Sequence, residues 1–225
     1  MYKSKIMKLI NIDFNDKSIA LIGNGTCTSL NGDIIDSYDI VVRFNGGIIH
    51  DNVKKHADYV GSKTSVGVWN WWALDDEIHK LDNEQKEITK TLEIEKIPVM
   101  FSARRYETKT LEAVKSIPMD FYKKMNNFDG ISIGKIPNSV YIDIEKKFSY
   151  LQPTSGLSFI FYLLKYYNPS KITLFNWGLD GKHYYDENHY DIMVDKKQWG
   201  LVHNGLNEYA IIYQLMKIYS NLTYY

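Results

Sequence analysis

Residues 17–45 read KSIALIGNGTCTSLNGDIIDSYDIVVRFN. An apolar run at 19–22 passes into Gly23-Asn24-Gly25, and a second apolar run at 40–42 ends in Arg43-Phe44-Asn45. This pairing puts a close backbone approach and two side-chain amides at strand ends, the edge at which open α/β sheets bind nucleotides. Gly23 and Gly25 allow positive φ and keep Cβ atoms out of a ligand's way, which suits a phosphate or ribose lying on the main chain. The plainer reading of Gly-x-Gly after a strand is a tight turn, and these three residues alone leave both open.

Further strand-like runs extend the pattern outward. With 18–23 and 38–44 they lie at 57–60, 97–101 and 171–176, alternating with helical or mixed stretches. That alternation predicts an α/β fold, a single Rossmann-like domain over residues 1–225 with a mainly parallel sheet flanked by helices. The length suits one core, and no repeat or Pro/Gly/Ser-rich linker divides the chain. Helical spacing puts Leu157, Ile160, Phe161, Leu164 and Tyr167 on one face, and Leu206, Tyr209, Ala210, Tyr213 and Met216 on another; both read as core. The middle is mixed. Trp69, Trp71 and Trp72 cluster there, a charged helix is expected near 75–90, and 123–138 is rich in Lys, Asn and Gly. The tryptophans read as core ahead of a sugar-stacking wall.

Lys plus Arg and Asp plus Glu both total 27, so the net charge is zero and no nucleic-acid partner is expected. Cys27 is the one cysteine, which excludes an intrachain disulfide and fits a reducing, cytoplasmic setting; it reads as a small buried thiol. The N-terminal MYKSKIMKLINI is basic but lacks the roughly 7–15-residue apolar core of a signal peptide, and no run of about 18 apolar residues occurs. A soluble protein without a membrane span is expected, its N-terminal lysines allowing peripheral contact with an anionic membrane.

Two more stretches carry chemistry. Pro153-Thr154-Ser155-Gly156 precedes an apolar helix, placing hydroxyls and backbone N–H groups where the helix dipole favours an anion. Capping alone explains Thr154 or Ser155, but the Ser-Gly step also leaves room for a ligand oxygen to reach the amides. The second stretch holds His183, Asp186 and His189, then His203 ahead of Glu208. Its spacing matches no defined zinc or iron pattern, so no metal is assigned. His203 just precedes a helix whose positive end disfavours imidazolium, which suits a general base, although a lone surface histidine fits the spacing too.

Taken in order, these stretches resemble the animal-type sialyltransferases, glycosyltransferase family 29. Ile22-Gly23-Asn24 and Asp39-Ile40-Val41-Val42-Arg43-Phe44-Asn45 are similar to that family's long motif, and Val60-Gly61-Ser62-Lys63-Thr64-Ser65 to its continuation. Pro153-Thr154-Ser155-Gly156 resembles the small motif, and His183-Tyr184-Tyr185-Asp186 the third, with Asp for Glu. His203 and Glu208 match the terminal His-x4-Glu. The motifs span about 19–65 and 152–210 and leave the middle unmatched. The family's disulfide between the long and small motifs has no counterpart, because Cys27 has no partner.

The resemblance implies a CMP-sugar as donor substrate and no cofactor. Asn24, Asn45, Thr154, Ser155 and Gly156, beside Gly23 and Gly25, would contact the nucleotide. His183 and the helix N-terminus would stabilise the departing CMP phosphate. His203 would take the proton of a glycan acceptor hydroxyl as it attacks the opposite face, giving inversion in one displacement without metal. Glu208 would fix the loop or the ring, and Arg43 would pair with a carboxylate or phosphate or form a structural salt bridge. A sialic acid-type sugar is the expected donor. Another CMP-sugar such as CMP-Kdo, a non-catalytic nucleotide-binding module, and a dinucleotide oxidoreductase or methyltransferase are the alternatives, the last weakened by the missing third glycine.

Overall fold

The computed structural model describes residues 12–70, 83–102, 131–149, 153–178, 184 and 205–225. In chain order the elements are β1 (Ser18–Ile22), α1 (Gly32–Asp36), β2 (Ile40–Phe44), a 3-10 turn (Asn45–Ile48), α2 (His50–Lys55), α3 (Ala57–Val60), β3 (Val66–Asn70) and α4 (Asn83–Glu95). There follow β4 (Val99–Ser102), β5 (Ile133–Lys135), α5 (Asn138–Phe148), α6 (Ser155–Tyr166), β6 (Lys171–Phe175), α7 (Gly205–Ile218) and β7 (Leu222–Tyr224).

The seven strands form one parallel sheet in the order β5-β4-β3-β2-β1-β6-β7. Ile19 of β1 stands opposite Ile40 on one side and Ile172 on the other. The chain works outward from β1 to β5 and then returns to the other side of β1, so the strand order reverses between β1 and β6. Ligands of open α/β sheets bind outside the carboxyl ends of the strands at such a reversal.

Strands buried on both faces read as near-continuous apolar runs, and β1, β2 and β6 do so apart from Ser18, Arg43, Lys171 and Thr173. Their alternate residues feed separate cores. Ile19, Leu21, Val42, Phe44 and Leu174 pack with Val140 and Ile144 of α5, Leu157 and Ile160 of α6, and Ile211 and Leu215 of α7. Ala20, Ile22, Val41 and Phe175 pack with Ile35 of α1 and Val60 of α3 on the opposite face. Val99 and Trp69 meet Ile88 and Leu92 of α4, so Trp69 is core; Trp71 and Trp72 lie outside the described residues.

Three expectations change. Residues 57–60 are helix α3, not a strand: Gly61 ends the turn at φ +71°, and the carbonyls of Val60 and Gly61 are claimed by Arg43. The adjoining strand is β3, eight residues beyond Asp58 at its first position, Val66. Helix α6 is buried on all sides from Ser155 to Leu163 instead of along one stripe, and Tyr167 is its C-cap residue. On α7 the core face is the other one. Glu208, Ile211, Ile212 and Leu215 point inward, while Leu206 is 77% exposed, Tyr209 45% and Tyr213 53%. The charged helix is described as α4 over Asn83–Glu95; residues 71–82 lie outside the described set.

Candidate active site

The loop leaving β1 is built against the loop leaving β6. Gly23 N–H donates to Phe175 O at 2.8 Å and Gly25 N–H to Asn176 O at 2.9 Å. A Cβ on Gly23 would stand 2.5 Å from Asn176 O, and one on Gly25 2.3 Å from Gly178 N. The glycines are therefore required by backbone packed on backbone. The sequence suggested positive φ and open room for a ligand at these positions. Among the described glycines only Gly61 has positive φ, and the room is filled by residues 176–178.

Asn24 joins three segments. Its Nδ2 donates to Phe44 O at 3.0 Å, a Cβ on Gly47 would come 2.4 Å from its Oδ1, and its carbonyl accepts Tyr184 N–H at 2.9 Å. Asn45 opens the 3-10 turn at φ +46°, a left-handed conformation that asparagine tolerates better than most residues. Asn176, at φ +53°, makes the same kind of exit from β6. Departures from ordinary backbone geometry gather at functional sites, and two of them flank this crevice.

Arg43 does not face the crevice. Its side chain is 0% exposed, with Nε donating to Lys63 O and Thr64 Oγ1, and Nη2 donating to the carbonyls of Val60, Gly61 and Lys63. Neither expected partner, a ligand anion or a salt-bridged carboxylate, receives these bonds. Burial lowers the guanidinium pKa from its ordinary value, opposed by Tyr184 and Asp36. Asp36 grips the same loop, accepting N–H bonds from Ser62 and Lys63 at 2.8 to 2.9 Å. Arg43 and Asp36 together fold the continuation of the long motif back against β2.

The small motif is a junction. Thr154 caps α6, its Oγ1 accepting Leu157 N–H at 3.2 Å, and it is held by α7: Glu208 Oε1 accepts Thr154 N–H at 2.6 Å and Oε2 accepts its hydroxyl at 2.7 Å. Ser155 shares a buried hydrogen bond with the hydroxyl of Ser102 at the end of β4. At Gly156 a Cβ would stand 2.4 Å from the indole of Trp177, beyond β6. The space expected for a ligand oxygen at Gly156 is thus taken by that indole. What stays available to an anion is the start of the helix itself, where the N–H groups of Ser155 and Gly156 have no carbonyl of their own helix to bond. Trp177 also meets the Phe44 ring edge-on at 5.6 Å, so Phe44 and Trp177 link the two motifs.

His183, Asp186, His189 and His203 lie outside the described residues. Tyr184, next to His183 in the chain, is described and buried. Besides its bond to Asn24, its hydroxyl approaches Gly47 O at 3.5 Å and its ring meets His56 edge-on at 5.4 Å. Burial pushes the Tyr184 hydroxyl up to about 12, although Arg43 pulls it back. Burial likewise raises the half-buried Cys27 thiol to about 11 against the pull of Arg43, which makes it an inert thiol near neutral pH. Among the described residues no group of three or more His, Cys, Asp or Glu could hold a metal ion.

The sequence reading gave no role of their own to Ser102, Asn176, Trp177 or Tyr184, the last quoted only within the third motif. For Asn176 and Trp177 a signal existed: an apolar run followed by Asn-Trp-Gly repeats the way β1 runs into Gly-Asn-Gly. Ser102 had none, because its role depends on a partner 53 residues away.

A parallel sheet with asparagines at the strand exits beside its reversal point, near a capped helix start, defines an α/β protein of Rossmann-like architecture. The chain belongs to glycosyltransferase family 29 (sialyltransferase), whose family model matches residues 15–219. That match runs through the middle, which carries none of the motifs. No curated protein matches the chain. Among the described residues no helix is long and apolar enough to cross a membrane.

Proposed function

We propose that the protein transfers a sialic acid-type sugar from a CMP-activated donor to a glycan hydroxyl, in one inverting displacement and without a metal ion, within one domain spanning residues 1–225. The observation that carries this reading is the meeting of the long and small motifs across Phe44 and Trp177, at the reversal point of the sheet. The nucleotide lies along the exits of β1 and β2, with Asn24 and Asn45 as its polar contacts and the N–H groups of Ser155 and Gly156 facing the phosphate. His183 meets the charge that grows on the departing CMP, where a preorganised donor acts most strongly. His203 removes the acceptor proton. The protein works in the cytoplasm, with its basic N-terminal segment free to touch an anionic membrane surface.

The test is product formation from CMP-sialic acid in the presence of EDTA, across a panel of glycan acceptors, followed by mass spectrometry. Transfer that survives chelation, with CMP bound more tightly than AMP, NAD or UDP in calorimetry, is the expected outcome. His203→Ala should keep CMP affinity and lose about 10²–10⁴ of turnover. Transfer from CMP-Kdo alone would change the sugar and keep the mechanism. Tighter binding of UDP or NAD would remove the donor assignment, and wild-type turnover by the folded alanine variant would remove the base.

A further inference from the structure

We propose that Ser102, the last residue of β4, is a positioning residue for the donor phosphate: its hydroxyl accepts the Ser155 proton before phosphate binds and donates to Ser155 afterwards, which turns the Ser155 O–H onto the phosphate. The proposal rests on the function proposed above.

Three hydroxyls lie at the start of α6, and each has one proton to give. Thr154 donates to Glu208 Oε2 at 2.7 Å, an ionised carboxylate that only accepts. Ser158 donates to Thr154 O at 2.8 Å. Both protons are committed to fixed acceptors. The partner of Ser155 differs in kind, because Ser102 is itself a hydroxyl and either oxygen can be the donor. Of these three hydroxyls, Ser155 is therefore the one whose proton can change direction without abandoning a carbonyl or a carboxylate.

Ser102 can serve both directions. Its Oγ also stands 3.5 Å from Trp69 O on the adjoining strand β3, so its own proton has an acceptor there while Ser155 donates to it. When an anion draws the Ser155 proton outward, the Ser102 O–H rotates from Trp69 O to Ser155 Oγ. Two O–H bonds turn, no covalent bond changes, and neither proton is left unpaired. That condition is strict here, because Ser102 is 2% and Ser155 9% exposed, and a buried hydroxyl without a partner is penalised. The chain also strengthens the outer bond. An O–H whose oxygen accepts a hydrogen bond is the better donor, and its bond to an anion is stronger than one between neutral groups. The fold supplies the geometry: β4 brings Ser102 to the carboxyl edge of the sheet, and the Thr154 cap fixes the turn that holds Ser155.

The experiment measures CMP and cytidine binding by calorimetry, and transfer from CMP-sialic acid, for full-length wild type, Ser102→Ala, Ser155→Ala and the double variant. Cytidine lacks the phosphate and otherwise matches CMP. Ser102→Ala should weaken CMP by about 3–10-fold, the scale of one hydrogen bond, and leave cytidine within about twofold of wild type. Its kcat should fall by about 10-fold or more, because charge on the phosphate grows in the transition state. In the Ser155→Ala background the Ser102→Ala change should add nothing, since Ser102 acts through Ser155. Ser102→Cys is close in size with a weak donor and should resemble the alanine variant; it carries the same comparison if the alanine variant does not fold. Equal weakening of CMP and cytidine, unchanged CMP affinity, or additive losses in the double variant overturn the relay. If wild type forms product while any of these holds, the function stands and the relay alone falls. If wild type neither binds CMP nor transfers from its sugar conjugate, the function falls and takes the relay with it.

Discussion

A methyl group added at Gly25 would stand 2.3 Å from Gly178 N and 2.8 Å from Asn176 O, both backbone atoms that cannot rotate aside. Gly25→Ala should therefore separate the exits of β1 and β6, destabilising the fold by about 1–3 kcal/mol as overpacked sites do, and weakening CMP binding as a consequence. If the glycine instead served only to admit a ligand, the variant would keep its melting temperature and lose affinity alone; thermal unfolding paired with calorimetry separates the two. The example marks what single residues disclose. Asn24, Asn45 and Thr154 were legible as junction residues, because amide and hydroxyl groups at strand and helix ends bond turns and caps. The reason for each glycine was not legible, since it lies in residues 176–178 and in Trp177, far along the chain. Arg43 was misleading for the same reason: a cation beside an amide-rich turn suggests an anion, but five bonds to the 60–64 loop absorb it.

Elements were legible where the pattern was long and unopposed. β1, β2 and β6 are mostly apolar runs, and α6 is an apolar helix behind a Thr cap, so each fell close to its expected place. β5 and β7 are three residues each, too short for any period to show. On α7 two stripes competed. The true inward one contains Glu208, whose polarity hides it until Thr154 is known to be its partner. Ile212→Ala should cost about 2–5 kcal/mol and Tyr213→Ser within about 0.5 kcal/mol, measured by urea unfolding; the reverse ranking would restore the face read from sequence. The loop after α3 gives a pH test. Burial alone would raise the Asp36 carboxyl, but N–H bonds from Lys63 and Ser62, the Ser62 hydroxyl and the Arg43 charge outweigh it and hold it below the ordinary carboxylate range. A depressed folded-state value means stability that is complete above the unfolded value, near 3.9, and is lost as pH falls through the folded one. Urea midpoints should accordingly fall below about pH 4 in wild type and fall less in Asp36→Asn; Asp39, similarly lowered by Ser18, keeps some dependence in the variant. An unchanged acid limb in Asp36→Asn would show that the loop is not held through this carboxylate.

At the scale of the whole molecule the question is what joins the long-motif half to the small-motif half, given a single cysteine and therefore no intrachain disulfide. Noncovalent contacts just before β1 take that place. Phe14 is fully buried against Phe159, Tyr162 and Tyr167 at ring distances of 5.9, 6.5 and 4.9 Å, all edge-on, so a residue preceding the first strand is packed into α6 and its C-cap. Beside it Asn168 N–H donates to Asn15 Oδ1 at 2.9 Å and Asp16 N–H to Asn168 O at 3.0 Å. Removing a fully buried phenyl ring costs about 3–5 kcal/mol, so Phe14→Ala should lower the melting temperature by on the order of 10 °C in a chain of this length. The ring lies at the amino ends of the strands, the crevice at their carboxyl ends. At temperatures where the variant is folded its CMP affinity should therefore match wild type, and CMP at about a hundred times its Kd should return roughly 2.7 kcal/mol to both proteins. Reductant should change neither midpoint. A loss under about 1 kcal/mol would mean that the aromatic cluster does not hold the halves together, and a loss of CMP affinity in folded Phe14→Ala would mean that this packing also shapes the crevice at the far edge of the sheet.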